Sequence, residues 1–460
     1  MGLLLAGCGS SHQSSVPAGP AFPSTPAGVQ AQWFFQAAGR PPIPSAATRA
    51  HFDAALLRIL PPTTVNALLT GAGQLGLVSV TSTRPNSVSF MMSIRGGQRF
   101  RVDVTVDAHG LISNITTPEV PPAVSPASVI PALALGWVAQ PVTFEAGGVT
   151  IHGTYTHPVS AAAGTVPAAL LIAAYGSSTD RNDNAPDQMD RNTLEAVANW
   201  LSADGVASLR YDKLGSGQTG WGTYAAHPGQ AGLGTYEQEA AAALTFLAGQ
   251  RQVDRARLAV FGHSEGGIYA LLLASGLAGP APKVRAVVLL EPVPIRFLDL
   301  IEQSATASLT REVLQGYVTA AQAKSIKQAI ARMVASLRHT GALPPGLQPG
   351  VGLAYTFQRP LREAVQIDRY DPAAIAAKLP AHMPVLLTCS NADGAIGCAL
   401  VDQLAAGLSH DSARLDFVQL DGVDHFLKQD ITQKTADYNE SLPFSAQLRA
   451  ALKTFLASNL

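Results

Sequence analysis

Charge is scarce in this chain. Asp, Glu, Lys and Arg make up 14% of its 460 residues, with 31 basic against 32 acidic for a net charge of −1. No basic surplus exists to neutralise phosphates, so there is no electrostatic case for nucleic acid as a partner. The histidines show neither an H-E-x-x-H pattern nor a clustered spacing, so no metal is expected. Gly147-Gly148 and Gly215 to Gly217 lack any phosphate-loop pattern, and no cofactor is expected either. Beyond the first few residues, no apolar run is long and uninterrupted enough to span a membrane. What is plentiful is apolar residue, at 47%, enough to build a folded core, and the length predicts two to three domains.

The most informative stretch is Gly262-His263-Ser264-Glu265-Gly266. A short apolar strand, Arg257 to Phe261, precedes this G-x-S-x-G pattern, and a helix-like apolar run, Gly267 to Ser275, follows it. Strand, sharp turn on a Ser between glycines, then helix is the arrangement that exposes a nucleophilic hydroxyl near a helix N-terminus. The turn strains the Ser backbone, and any side chain at Gly262 or Gly266 is expected to collide with neighbouring backbone.

A Ser nucleophile needs a base, and the base needs an orienting acid. In this arrangement the order along the chain is Ser, then Asp or Glu, then His. Four histidines follow Ser264: His339, His382, His410 and His425. His339 ends a helix-like segment, His382 precedes Met383-Pro384 at a strand entrance, and His410 sits in a polar turn. His425 lies on a loop beyond the β-like run Arg414 to Leu420, where open α/β sheets keep their chemistry, and it is the expected base. The expected acid is Asp393, on the loop after the apolar strand Pro384 to Ser390. Glu291, at the end of the strand Val284 to Leu290, and Asp424, beside His425, are its rivals.

These residues resemble the α/β-hydrolase superfamily, and within it the exported bacterial serine esterases and serine-aminopeptidase-like proteins. Three further stretches carry the resemblance. Ala174 to Asn182 resembles the family's G-S-G-P-x-D-R-D loop, Leu209 to Gly217 its R-Y-D-K-R-G-x-G turn, and Asp421 to Leu427 the segment around its His. Together they span about residues 140 to 460. The chain departs from the pattern at Tyr175, Ser177, Ser178 and Leu214. The resemblance implies an oxyanion hole built from the backbone N–H of Glu265 and that of Tyr175, Gly176 or Ser177. Asp180, Arg181, Arg210 and Asp212 are expected to form a structural charge cluster beneath the site. The implied activity is carboxylic ester hydrolysis on a small-molecule substrate, with amide or peptide hydrolysis as the alternative and an inactive lipid-anchored binding protein as a third reading. An aminopeptidase needs a carboxylate for the substrate ammonium, and Glu302, Glu312 and Glu363 are available for it.

The resulting fold class is α/β: a mostly parallel sheet with a helical cap, preceded by a small α+β domain. Leu5-Ala6-Gly7-Cys8 matches a lipoprotein lipobox, which predicts lipidation of Cys8 and export, although only four residues precede it. The expectation is a true start upstream of Met1 and contact with a membrane only through that anchor. Residues 1–47 read as this remnant and a flexible tether, residues 48–118 as the small domain, and 119–139 as a Pro-rich linker. The small domain is read as an amphipathic helix Thr48 to Leu60, a second helix Thr63 to Leu69, and four strands at 77–83, 87–94, 99–106 and 111–116. It resembles the nuclear transport factor type. The hydrolase domain takes 140–460, with strands alternating with helices except at about 293–375, the expected cap, with helices 297–309, 311–337 and 361–366. Two cysteines other than Cys8, Cys389 and Cys398, flank the Asp393 loop and are expected to pair as a disulfide.

Overall fold

The computed structural model describes residues 21–460 apart from 60–61, 63–64, 67–74, 94–98, 117–135, 177, 184–190, 315–318, 345–360, 410–413 and 431–441. Cys8, Ser177 and His410 therefore lie outside the described residues, as does most of the helix expected at Thr63 to Leu69. The chain divides into two compact units, the described residues before 119 and those after it.

In the first unit, four antiparallel strands run in sequential order: β1 (Gly76–Arg84), β2 (Ser87–Ser93), β3 (Arg99–Val106) and β4 (Ile112–Thr116). Alternation puts Val88, Phe90 and Met92 of β2 on the same face as Val102, Val104 and Val106 of β3, in one apolar core. The segment read as a tether contains a helix, Pro26–Ala38, whose Ala27 and Ala31 are fully buried in that core. The Thr25 side chain caps it by accepting from the N–H of Gly28, and Pro26 occupies the first turn. The single helix expected over Thr48 to Leu60 is two helices, Ser45–His51 and Ala54–Ile59. Phe52 breaks it by turning extended and bridging to Ile112 in the core, and Asp53 starts the second helix by accepting from the N–H of Leu56 at 2.6 Å.

The second unit is an eight-stranded sheet: β5 (Trp137–Ala146), β6 (Val149–Pro158), β7 (Val166–Ile172), β8 (Ala207–Tyr211), β9 (Val253–His263), β10 (Ala286–Leu290), β11 (Pro384–Ser390) and β12 (Arg414–Leu420). The spatial order is β12-β11-β10-β9-β7-β8-β6-β5. Only the pairs β5/β6 and β6/β8 are antiparallel; β8 through β12 pair in parallel. β5 begins at Trp137, so the last residues of the expected linker are strand. The central strands β7, β8 and β10 are buried almost throughout, because helices cover both faces of a parallel sheet. One large apolar cluster packs on one face and a second, with the helices Thr193–Ala203 and Ala446–Asn459, on the other.

Between β10 and β11 the chain forms the helices Phe297–Leu314, Ala320–Thr340, Leu361–Ile367 and Pro372–Ala376. The break between the first two falls later than 310, because Thr319 and Gln322 make a reciprocal capping box that fixes the start of the second. Asp368 fastens these helices together. Its carboxylate accepts from the N–H of Leu298 at 2.8 Å, from Arg296 at 3.0 Å and from Arg338 at 2.8 and 3.1 Å. No helix among the described residues is long and apolar enough to cross a membrane.

Candidate active site

Ser264 is the first residue after β9, and its φ of +53° is a left-handed conformation that non-glycine residues seldom adopt. Neighbours hold it there. Its N–H donates to the carbonyl of Leu290 at 2.9 Å, and its own carbonyl accepts from Gly267 at 3.0 Å and Val293 at 3.1 Å. A Cβ at Gly262 would collide with the backbone of Gly266, and one at Gly266 with the carbonyl of Ile172. Both glycines are therefore required by close backbone approach.

The Oγ of Ser264 lies 3.1 Å from Nε2 of His425, whose Nδ1 lies 2.7 Å from Oδ2 of Asp393. All three side chains are buried, at 6%, 7% and 8% residue exposure. Each comes from the C-terminal end of a parallel strand: β9, β12 and β11. Burial pulls the imidazole of His425 down, but the charge of Asp393 and its hydrogen bond outweigh that and hold its pKa above the ordinary value.

The loops that carry Asp393 and His425 are stitched to one another. Ser390 Oγ accepts from Ala392 at 3.1 Å and from Val423 at 3.2 Å, while Asn391 accepts from Gly422 at 2.8 Å. The disulfide Cys389–Cys398 spans the Asp393 loop, with Cα atoms 5.1 Å apart. Asp424 does not face its neighbour. Its Oδ1 accepts from the N–H groups of Phe426 and Lys428 at 2.9 and 2.8 Å, so it shapes the His425 turn. Glu291 is fully buried beside Asp393, with φ +43°, and accepts from Thr388 Oγ1 at 3.2 Å. Burial, and then the Asp393 charge, push its pKa well up.

Glu265 caps the helix Gly266–Ala274, so its backbone N–H lies at the positive end of the helix dipole. The pairing of Ile172 with Gly262 brings the exit of β7, and with it Tyr175 and Gly176, alongside the exit of β9. The Tyr175 ring stacks on Phe297 at 5.9 Å between centroids. Asp180 and Arg210 lie 3.5 Å apart, and Asp212 accepts from the N–H groups of Asp180 and Gln218, both at 2.7 Å. Arg181 pairs with Glu195 at 3.3 Å, away from Arg210. Glu363 is buried and accepts from the hydroxyl of Tyr269 at 3.0 Å, the side chain of Glu312 lies outside the described residues, and Glu302 is half-buried on a cap helix.

Four polar residues with no role expected from sequence sit close by. His263 and Lys213 flank the site from inside the core; Asn182 and Glu239 bond to them or beside them, and none exceeds 1% exposure. A signal existed for two of them: a histidine directly before Ser264, and a lysine two positions after an apolar strand, in a chain so poor in charge.

No curated protein matches the chain. Residues 22–112 match a family described as ORF 12 gene product N-terminal, and residues 190–340 match the serine aminopeptidase S33 family. Among solved structures, an esterase of Pyrococcus furiosus is 16% identical, with 71% of this chain and 93% of that one covered at a TM-score of 0.44. An acetyl xylan esterase of Paenibacillus sp. R4 is 18% identical, with 71% and 86% covered at 0.42. A puromycin-hydrolyzing peptidase of Mycobacterium tuberculosis is 16% identical, with 83% and 48% covered at 0.41. The strand order and the turn at Ser264 give the second unit the α/β-hydrolase fold, and its middle third is similar to the serine aminopeptidases.

Proposed function

We propose that the chain is a serine hydrolase that cleaves carboxylic esters through Ser264, His425 and Asp393. The unbroken line of contacts from Ser264 Oγ to His425 to Asp393, at 3.1 and 2.7 Å, carries this reading. In it, His425 Nε2 accepts the hydroxyl proton as Ser264 attacks the carbonyl carbon. The negative charge then on the carbonyl oxygen is met by backbone N–H groups, that of Glu265 and one from the Tyr175–Gly176 turn. His425 returns the proton to the leaving alcohol. Water, deprotonated by the same imidazole, cleaves the acyl-enzyme. Asp393 keeps the Nδ1 proton in place and stabilises the imidazolium.

Amide or peptide hydrolysis is the second reading, favoured by the match of residues 190–340 to serine aminopeptidases. Against it, Glu363, one of the three glutamates available for a substrate ammonium, faces Tyr269 and is taken up in the core.

A p-nitrophenyl ester series from C2 to C16, run beside aminoacyl-p-nitroanilides and the Ser264→Ala variant, tests both. Ester turnover lost in the variant supports the esterase. Anilide turnover alone moves the assignment to a peptidase. Turnover of neither, with Ser264 resistant to fluorophosphonate, overturns the enzyme reading in favour of a binding protein.

A further inference from the structure

The two residues on either side of Ser264 reach the backbone of one residue, Ala174, through one intermediary each. On one side, Nε2 of His263 lies 2.7 Å from the carbonyl of His425, and its Nδ1 lies 2.8 Å from Nδ2 of Asn182. Asn182 Oδ1 in turn accepts from the N–H of Ala174 at 2.6 Å. On the other side, the Glu265 carboxylate accepts from Lys213 Nζ at 3.1 Å, and the same ammonium donates to the carbonyl of Ala174 at 2.9 Å. Ala174 is thus held at its N–H by one arm and at its C=O by the other. It directly precedes Tyr175 and Gly176.

The polarity of the first arm is forced from both ends. The Ala174 N–H only donates, so the Asn182 oxygen must face it and the Asn182 amide must donate to His263. The His425 carbonyl only accepts, so the remaining His263 nitrogen must carry the proton. One neutral tautomer satisfies both ends. Burial, with His425 nearby, keeps His263 neutral by lowering its pKa to about 3. Turning the Asn182 amide over would set two donors against each other at Ala174. The second arm is a charged pair with both side chains no more than 2% exposed, where geometry is held stiffly.

We infer that His263–Asn182 and Glu265–Lys213 form a clamp on Ala174 that sets the distance between the nucleophile turn and the Tyr175–Gly176 backbone, and so the width of the oxyanion hole. These four are positioning residues. The inference rests on the serine hydrolase reading. It adds that the half of the hole contributed by the loop after β7 is placed by polar side chains that never touch substrate.

The test compares an ester with its thionoester, in which sulfur replaces the carbonyl oxygen. Sulfur accepts hydrogen bonds weakly, so an enzyme with a well-placed hole prefers the ester. Two variants open one arm each. Asn182→Gly suits the left-handed backbone at that position, where φ is +69°. Lys213→Met with Glu265→Gln removes both members of the buried pair together and strands no charge. The expected result in each is a fall in kcat for the ester of about ten- to a hundredfold, KM within about twofold, and a narrowing of the ester-over-thionoester preference by about tenfold. Melting curves and fluorophosphonate labelling of Ser264 report that the fold and the nucleophile are intact. If one variant fails to fold, the other decides. Folded variants that keep the wild-type preference overturn the clamp, whatever happens to kcat. Wild-type protein inactive on esters and unlabelled at Ser264 overturns the reading beneath it instead, and the clamp with it.

Discussion

Asp393 holds His425 with one oxygen and its own loop with the other. Oδ2 lies 2.7 Å from His425 Nδ1, while Oδ1 accepts from Ala395 at 2.7 Å and Ile396 at 2.9 Å. Asp393→Asn keeps the shape but puts an amide where the carboxylate was. It is expected to lower kcat by about 10³- to 10⁴-fold with little change in melting temperature. The pH profile should move too. In the proposed mechanism catalysis needs neutral His425, whose pKa the Asp393 charge holds above the ordinary value. The acid limb of kcat/KM in the wild type should therefore lie above about 6.5 and shift down in the variant. A limb that stays in place would mean that another group sets it.

Gly262→Ala and Gly266→Ala test whether the turn tolerates any side chain. In both, the new methyl meets backbone that cannot swing away. Each should cost about 3 kcal/mol of stability, read as a lowered urea midpoint, and abolish labelling of Ser264. Gly148→Ala is the control for a glycine whose Cβ would have open space, though its φ of +80° carries its own strain.

The Cys389–Cys398 bridge closes a short loop, nine positions apart. Chain entropy alone gives it about 2.5 kcal/mol. Reduction, or Cys389→Ser with Cys398→Ser, should lower the melting temperature, and should lower kcat as well because the loop carries Asp393. Quantitative labelling of both thiols in native, unreduced protein would contradict the bridge.

Glu239 makes a different kind of pH dependence. It is buried at 1% exposure, accepts from the N–H of Leu214 at 3.1 Å, and burial pushes its pKa up to about 8. The folded state then binds a proton that the unfolded chain releases near pH 4.5. Stability from this group is present at low pH and declines as pH rises from there to about 8. Glu239→Gln keeps an acceptor for Leu214 and does not titrate. Its melting temperature should exceed the wild type's by a margin that widens from pH 5 to pH 8; parallel curves would show that Glu239 titrates normally.

The strands of both units were readable because alternation and apolar runs bounded by Gly and Pro are local signals. The small-domain meander was placed within a residue or two of β1 to β4. That Ser264, His425 and Asp393 come together was legible for another reason: chain order and position after a strand narrow each choice to a few residues. The helix Pro26–Ala38 was hidden by composition, since Ala, Gly, Pro and Gln suit a tether as well as a helix whose small face packs tightly. Phe52 was hidden by helical spacing, because nothing local records that Ile112 waits to pair with it. The contacts of Asn182, His263 and Lys213 were hidden because their partners are distant in sequence and partly backbone, such as the carbonyls of His425 and Ala174, and no side-chain pattern encodes a carbonyl.

Asp368 sets a condition on anyone who would swap the helical segments between β10 and β11. Its carboxylate receives two arginines, one from each side of the first cap helix, and the N–H at that helix's start. A graft that replaces residues 297–340 but keeps the rest would bring in a foreign helix in place of Arg338 and leave a buried anion half-satisfied. The modular unit for recombination therefore ends after Asp368, not at the last visible turn of the second cap helix, and libraries cut at that later junction should yield more folded chimeras.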